Sequence, residues 1–374
     1  MADHDNRNDN WHGSKRDDRD DQAALPFALR RLGLVMEPDR ANPDESGGVL
    51  NPAAARGPDG ALYLFPRVVA AGDYSRVGRA RVIFDAAGDP AGVERLGEVL
   101  RPETAYEVNR ETGVGGCEDP RVTFVEPLGA YVMAYVGHGE TKERVALAIS
   151  DDLRLWRRLG PVTYEPAPDP DYGVDFNSYA DKDASLFPRT VVAPDGRESL
   201  ALLHRPIYDA EHRPHGIPDG RHRIWISYRA LDDVRRDPRA LTRWSQQRVL
   251  IGPQYPWEDA WIGGGAPPLL TPLGWLIIYH GVQNRAPLYP GERKAVIYRA
   301  GALVTDVRDP CRVLYRSPAP ILSPETADET GGVAPFAVFP TATDDRGDGR
   351  VEVYYGMADT RIGVATLRVP ATLP

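Results

Sequence analysis

Only two cysteines, Cys117 and Cys311, occur among the 374 residues. Two thiols cannot build a disulfide framework, and their scarcity is compatible with a reducing cytoplasm, the expected location. A secretory leader core and any apolar run of membrane-spanning length are missing, so no membrane partner is expected. Basic residues are not in surplus: 45 Lys and Arg stand against 54 Asp and Glu, giving a net charge of −9. They are also scattered, which argues against nucleic acid as a partner. No Walker loop, dinucleotide fingerprint or G-x-S-x-G elbow is present, setting aside nucleotide and triad chemistry. His212, His215 and His222 share a Pro/Gly-rich loop but lack zinc spacing, so neither a metal nor a cofactor is expected.

Helical periodicity is scarce, whereas glycine (36) and proline (35) are plentiful. That balance suits an all-β chain dense in turns. Five times a glycine turn leads into a short apolar strand: GALYLFPRV (60–68), GAYVMAYVGH (129–138), GRESLALLHRP (196–206), GWLIIYHGV (274–282) and GRVEVYYGMAD (349–359). The leading glycines are 69, 67, 78 and 75 residues apart. Each hairpin follows a second strand beginning near NPAA, EDPRVTF, KDASLFP, GGGAPPLL or VAPFAVFP. The reading is an all-β, five-bladed β-propeller, in which first strands line the axis and converge on one pocket. Residues 1–25 form a polar tail expected to be disordered, and 26–374 a single catalytic domain.

Several residue groups could carry chemistry. In GGCEDPRV, strand alternation would let only one of Glu118 and Asp119 face the axis, and an isolated acidic pair is usually structural. Lys182, Asp183, His204 and Arg205 share the third repeat, where the cations suit either an oxyanion or internal salt bridges. Trp261 could stack on a sugar or merely fill space between blades. His280, alone at a strand end, is more often structural. The long stretches 161–181 and 209–222 flank the third repeat as walls or surface insertions.

Taken together, NPAAARGPDGALYLFPR, GGCEDPRVTF, DKDASLFP, LLHRP, WIGGGAPPLL, GWLIIYHGV and VEVYYGMADTRIGVA resemble glycoside hydrolase family 130, the mannoside phosphorylases and β-mannosidases. The resemblance implies inverting attack on a β-mannoside, with Asp119 as general acid and Glu118 supporting it. It places Asn51, Arg67 and Asp359 around the mannose ring, with Asp183 and Trp261 also lining the substrate, and assigns anion binding to Lys182, Arg205 and His280. It further implies a small carbohydrate substrate and a homo-oligomer. Trp261 stands where the family usually has lysine, which turns the expectation towards hydrolysis, with Glu258, Glu325 and Glu329 as candidate bases. The alternative is phosphorolysis, with inorganic phosphate as co-substrate releasing mannose 1-phosphate. A second alternative, a glycan-binding propeller without catalysis, would not need the acid in EDPR.

Overall fold

In a computed structural model of the chain, the structure describes residues 26–166, 172–289, 292 and 295–374. The polar tail, with His4 and His12, lies outside the described residues, as does part of the 161–181 stretch. The fold is all-β and consists of five antiparallel four-stranded meanders. The first runs through Gly48–Arg56, Leu62–Ala70, Tyr74–Phe84 and Pro90–Leu100. The second uses Gly115–Val125, Ala130–His138, Arg144–Ser150 and Arg157–Pro161. The third uses Ala180–Leu186, Glu198–Ile207, Ile224–Ala230 and Arg243–Ile251. The fourth uses Trp261–Gly264, Gly274–Asn284, Val296–Thr305 and Val313–Arg316.

The fifth meander is composite. Val338–Asp345, Arg350–Met357 and Arg361–Arg368 come from the end of the chain, and the fourth strand, Arg30–Met36, comes from its beginning. The glycine-led hairpins fall where the sequence places them, as second strands. The closing strand RRLGLVM carries no turn-and-alternation signal, and its partner lies far away in sequence.

Each second strand is buried on both faces, which explains its nearly continuous apolar run. Leu200 and Leu202 join a core cluster with Val132, Leu147 and Trp225, while Ala201 and Leu203 point the other way to Trp275 and Ile277. This two-residue period repeats in the fourth meander, where Leu276 and Ile278 meet Val351 and Val353 of the fifth. Phe65 and Met133 share a cluster between the first and second meanders, and Leu64 and Tyr354 one between the fifth and first. Every cyclic neighbour pair therefore has its own apolar layer, and fully burying each such side chain contributes about 1.5–3 kcal/mol.

The first strands also touch one another, both between neighbours and across the centre. Asn51 Nδ2 donates to Asp119 Oδ1 (2.9 Å), Thr123 Oγ1 to the Leu186 carbonyl (3.1 Å) and Thr341 Oγ1 to the Pro52 carbonyl (2.6 Å). Arg121 Nε reaches the Gly265 carbonyl at 2.7 Å. Gly265 itself lies so close to the fifth meander that a Cβ there would sit 2.8 Å from the Pro340 carbonyl oxygen. Among the described residues, no helix is long and apolar enough to cross a membrane.

Candidate active site

Three first strands carry the same irregularity. Their ladders break register between Leu50 and Ala53, Glu118 and Arg121, and Lys182 and Ser185. Inside each break one residue is left-handed: Asn51 (φ 43°), Asp119 (φ 45°) and Asp183 (φ 57°). Asn and Asp tolerate this region because their short polar side chains can bond locally. A bulge re-aims the side chain it contains. The alternation argument for Glu118 and Asp119 therefore fails. Both carboxylates meet Arg67, at 3.2 and 3.4 Å.

Arg67 enters from the second strand of the first meander and is also braced by Ser75 Oγ at 2.8 Å. Burial opposes its charge, but Glu118, Asp119 and Asp359 hold it above the usual arginine value. Glu118 is 4% exposed. Burial alone would raise its carboxyl, yet Arg67, the His138 hydrogen bond (3.0 Å) and Lys182 (3.7 Å) hold it down to about 2. Glu118 thus stays ionised and organises the cations around it. Asp359 occupies the turn between Met357 and Arg361 with φ 51°. It has no hydrogen-bond partner among the described residues. Burial and the neighbouring Asp119 charge push its carboxyl up to about 6, against the pull of Arg67. Asn51 is fixed from behind by Gly356, where a Cβ would fall 2.0 Å from Asn51 Oδ1.

The cations expected to hold an anion all have internal partners. Lys182 Nζ lies 3.1 Å from Glu143 Oε1 as well as near Glu118. Arg205 Nε donates to Asp183 Oδ2 and its Nη1 to His222 Nδ1 (3.1 Å). Burial would raise the Asp183 carboxyl, but Arg205 and His280 hold it down to about 2. His280 donates Nδ1–H to the Gly264 carbonyl (3.2 Å), and its Nε2 has no hydrogen-bond partner. Burial, reinforced by Arg205 and Arg121, pushes its pKa down to about 4. It is therefore a neutral hydrogen-bonding group near pH 7, not a cation. Arg121 is 1% exposed and donates only to carbonyls of Gly265, Asp119 and Pro120. Partly exposed Trp261 meets His222 and Tyr298 with ring centroids 6.0 Å apart in each case. His204 is structural: Asp181 and Ser227 occupy both ring nitrogens.

The three candidate bases do not join this group. Glu258 Oε1 accepts from Tyr279 (2.6 Å) and Arg316 Nη2 (2.7 Å), and Oε2 from the backbone N–H groups of Gln254 and Tyr255. Glu329 does the same with Tyr355, Arg31 and the N–H groups of Glu325 and Thr326. Glu107, which the sequence reading did not single out, repeats the arrangement with Tyr135, Arg158, Glu103 and Thr104. All three glutamates are 0% exposed. Each clamp ties the segment before a first strand to a second-strand tyrosine and an outer-strand arginine. Glu325 is half-exposed and pairs with Arg31 at 3.0 Å. A carboxylate saturated in this way has no free lone pair with which to activate water. The tyrosine recurring just ahead of a glycine, Tyr135 in YVGH, Tyr279 in YHGV and Tyr355 in YYGM, was the available signal. Glu143, His138 and Tyr298 are further residues that sequence reasoning missed, and His222, weighed there only for zinc, instead accepts from Arg205.

Comparison with known proteins gives the class first: this is a carbohydrate-active enzyme of the glycoside hydrolase and phosphorylase kind. A family model described as β-1,4-mannooligosaccharide phosphorylase matches residues 28–373, and the chain belongs to glycoside hydrolase family 130. It is 32% identical over 350 residues to a 1,2-β-oligomannan phosphorylase of Thermoanaerobacter sp. (strain X514), covering 91% of this chain and 97% of that one. A β-1,2-mannobiose phosphorylase of the same strain is 32% identical over 270 residues, 71% of each chain. The structure of the Listeria innocua β-1,2-mannobiose phosphorylase in complex with β-1,2-mannobiose aligns with a TM-score of 0.66 at 22% identity, covering 92% of this chain and 97% of that one.

Proposed function

We propose that this protein is a β-mannoside phosphorylase that releases mannose 1-phosphate from manno-oligosaccharides, with its five meanders arranged as the blades of a propeller around the site. The convergence of the first strands and the five apolar layers between neighbours support that arrangement. The observation that carries the reaction is the fate of the candidate bases. An inverting hydrolase needs a second carboxylate to activate water on the far face of the sugar. Glu258 and Glu329 are consumed in buried clamps, and Glu325 is engaged with Arg31. Phosphate is already a nucleophile and needs no such base. The expectation of hydrolysis gives way on this ground, supported by relatives that are phosphorylases.

In this reading Asn51, Arg67 and Asp359 hold the mannose ring and Asp119 protonates the leaving oxygen as the bond breaks. Asp183 and Trp261 border the substrate. Lys182 and Arg205 meet phosphate through charge-assisted hydrogen bonds, and His280 contributes as a neutral imidazole. Because each cation is already paired, incoming phosphate competes with Glu143 and Asp183 for them. Incubating β-1,2- and β-1,4-mannobiose with and without phosphate tests the proposal. Mannose 1-phosphate formed only with phosphate is expected. Free mannose at the same rate in both would overturn it.

A further inference from the structure

The third meander differs from the others at the end where the site lies. Its second and third strands are joined by a long connection, Tyr208 to Arg223, whereas Ala71–Asp73 and Ala358–Thr360 suffice in the first and fifth. This connection and the segment before Ala180 enclose a cavity of about 710 Å³ lined by Asp175, Ser178, Glu211, His215 and Ile217, among others. The loop is internally braced, since Arg213 donates to the carbonyls of Ile217 (2.9 Å) and Ala210, and Tyr179 to that of His212 (2.5 Å). The His215 N–H is held by the Tyr172 carbonyl at 2.7 Å. Glu211 and His215, by contrast, make no side-chain hydrogen bond among the described residues. The recess is therefore built, and these two exposed side chains are the ones left for a ligand.

Its position relative to the site is fixed by the chain. Tyr179 borders the cavity, and the strand that starts at Ala180 presents Lys182 and Asp183 about 10 Å further on. Rings connect the two places: Tyr179 meets Tyr208 (5.6 Å), Tyr208 meets His222 (5.8 Å) and His222 meets Trp261 (6.0 Å). A disaccharide cleaved at Asp119 would not extend to the cavity, but a longer chain leaving past Trp261 would. The lining mixes carboxylates and imidazoles with an apolar floor of Val174, Pro214 and Ile217. That mixture suits a neutral polyol with alternating hydroxyl and C–H surfaces, and the carboxylates disfavour an anion.

We propose that this cavity is a distal subsite for the leaving end of a manno-oligosaccharide, so that chains longer than mannobiose are the preferred substrates. The proposal rests on the phosphorylase reading. The test is phosphorolysis of β-linked mannobiose and mannotetraose by the full chain, followed as mannose 1-phosphate, in the wild type and in Glu211→Ala and His215→Ala. The wild type should show a lower KM for mannotetraose. Losing the hydrogen bonds of either residue should raise that KM about 5- to 10-fold, leaving kcat and the KM for mannobiose and phosphate unchanged. Unchanged mannobiose turnover also shows that the variants fold. Equal KM values for both lengths in the wild type, or an equal effect of the substitutions on both, would overturn the subsite and leave phosphorolysis standing. Absence of mannose 1-phosphate from either substrate in the wild type would instead overturn the phosphorylase reading itself.

Discussion

Asn51 Nδ2 donates to Asp119 Oδ1 across 2.9 Å, joining two left-handed residues from neighbouring meanders. The bond aims the Asp119 carboxyl, and Gly356 leaves Asn51 no room to retreat. Asp119→Asn should lower turnover about 10²- to 10⁴-fold in a protein that still folds, because the transferable proton is lost while the amide oxygen can still accept from Asn51. Asn51→Asp should also reduce activity by placing a like charge against Asp119. Full activity in Asp119→Asn would remove it as the acid.

Lys182 is the cation whose competitor is most accessible. Glu143→Gln removes the 3.1 Å partner while leaving Glu118 in place. The expected result is a several-fold lower KM for phosphate with the mannoside KM unaffected. Trp261→Lys should act in the same direction by adding a cation beside His222. Initial-rate kinetics against phosphate concentration check both.

The buried clamps give the opposite signature. Glu258→Gln leaves the buried Arg316 without its counter-charge, which costs about 3–5 kcal/mol, whereas Glu329→Gln costs less because its partner Arg31 is partly exposed and keeps Glu325. Both variants should unfold at lower denaturant, yet the activity per folded molecule should be retained. A specific loss of kcat without loss of stability would restore either residue as a base.

Asp359 links the site to pH. Its carboxyl is raised from 3.8 to about 6 in the folded protein, so the folded state holds the proton more tightly than the unfolded chain. Stability from this group is full below about pH 4 and is lost as pH rises through 6. Asp359→Asn, always neutral, should therefore match the wild type near pH 4 and exceed it by about 1–2 kcal/mol at pH 8, after allowance for its partial exposure. Urea melts at the two pH values measure this. Glu118 works with the opposite sign: held down to about 2, it stabilises above about pH 4.5 and stops doing so as pH falls towards 2.

How much of this was legible depended on whether a feature is local. The five hairpins could be read because a glycine turn and a two-residue apolar period sit within ten residues. Arg67 and Arg205 lie near the ends of those strands, whereas the roles of Asp119, Lys182 and Asp359 came from the family resemblance of the motifs around them. The joint engagement of Glu118 and Asp119 was not legible, since it depends on φ at Asp119, which periodicity cannot report. The clamps at Glu107, Glu258 and Glu329 were hidden because each draws on three segments, and for Glu329 the arginine is Arg31, almost the whole chain away. His280 looked like a cation until its burial beside Arg205 and Arg121 became visible.

The composite fifth sheet sets a clock on synthesis. Arg30–Met36 leaves the ribosome long before Arg361–Arg368, the strand it pairs with. At about 5–20 residues per second, the early strand waits on the order of tens of seconds for its partner. During that interval RRLGLVM is an unpaired edge, open to capture by a neighbouring nascent chain. A ribosome stalled before Arg361 would therefore release a chain whose other four sheets can form while its seam stays open.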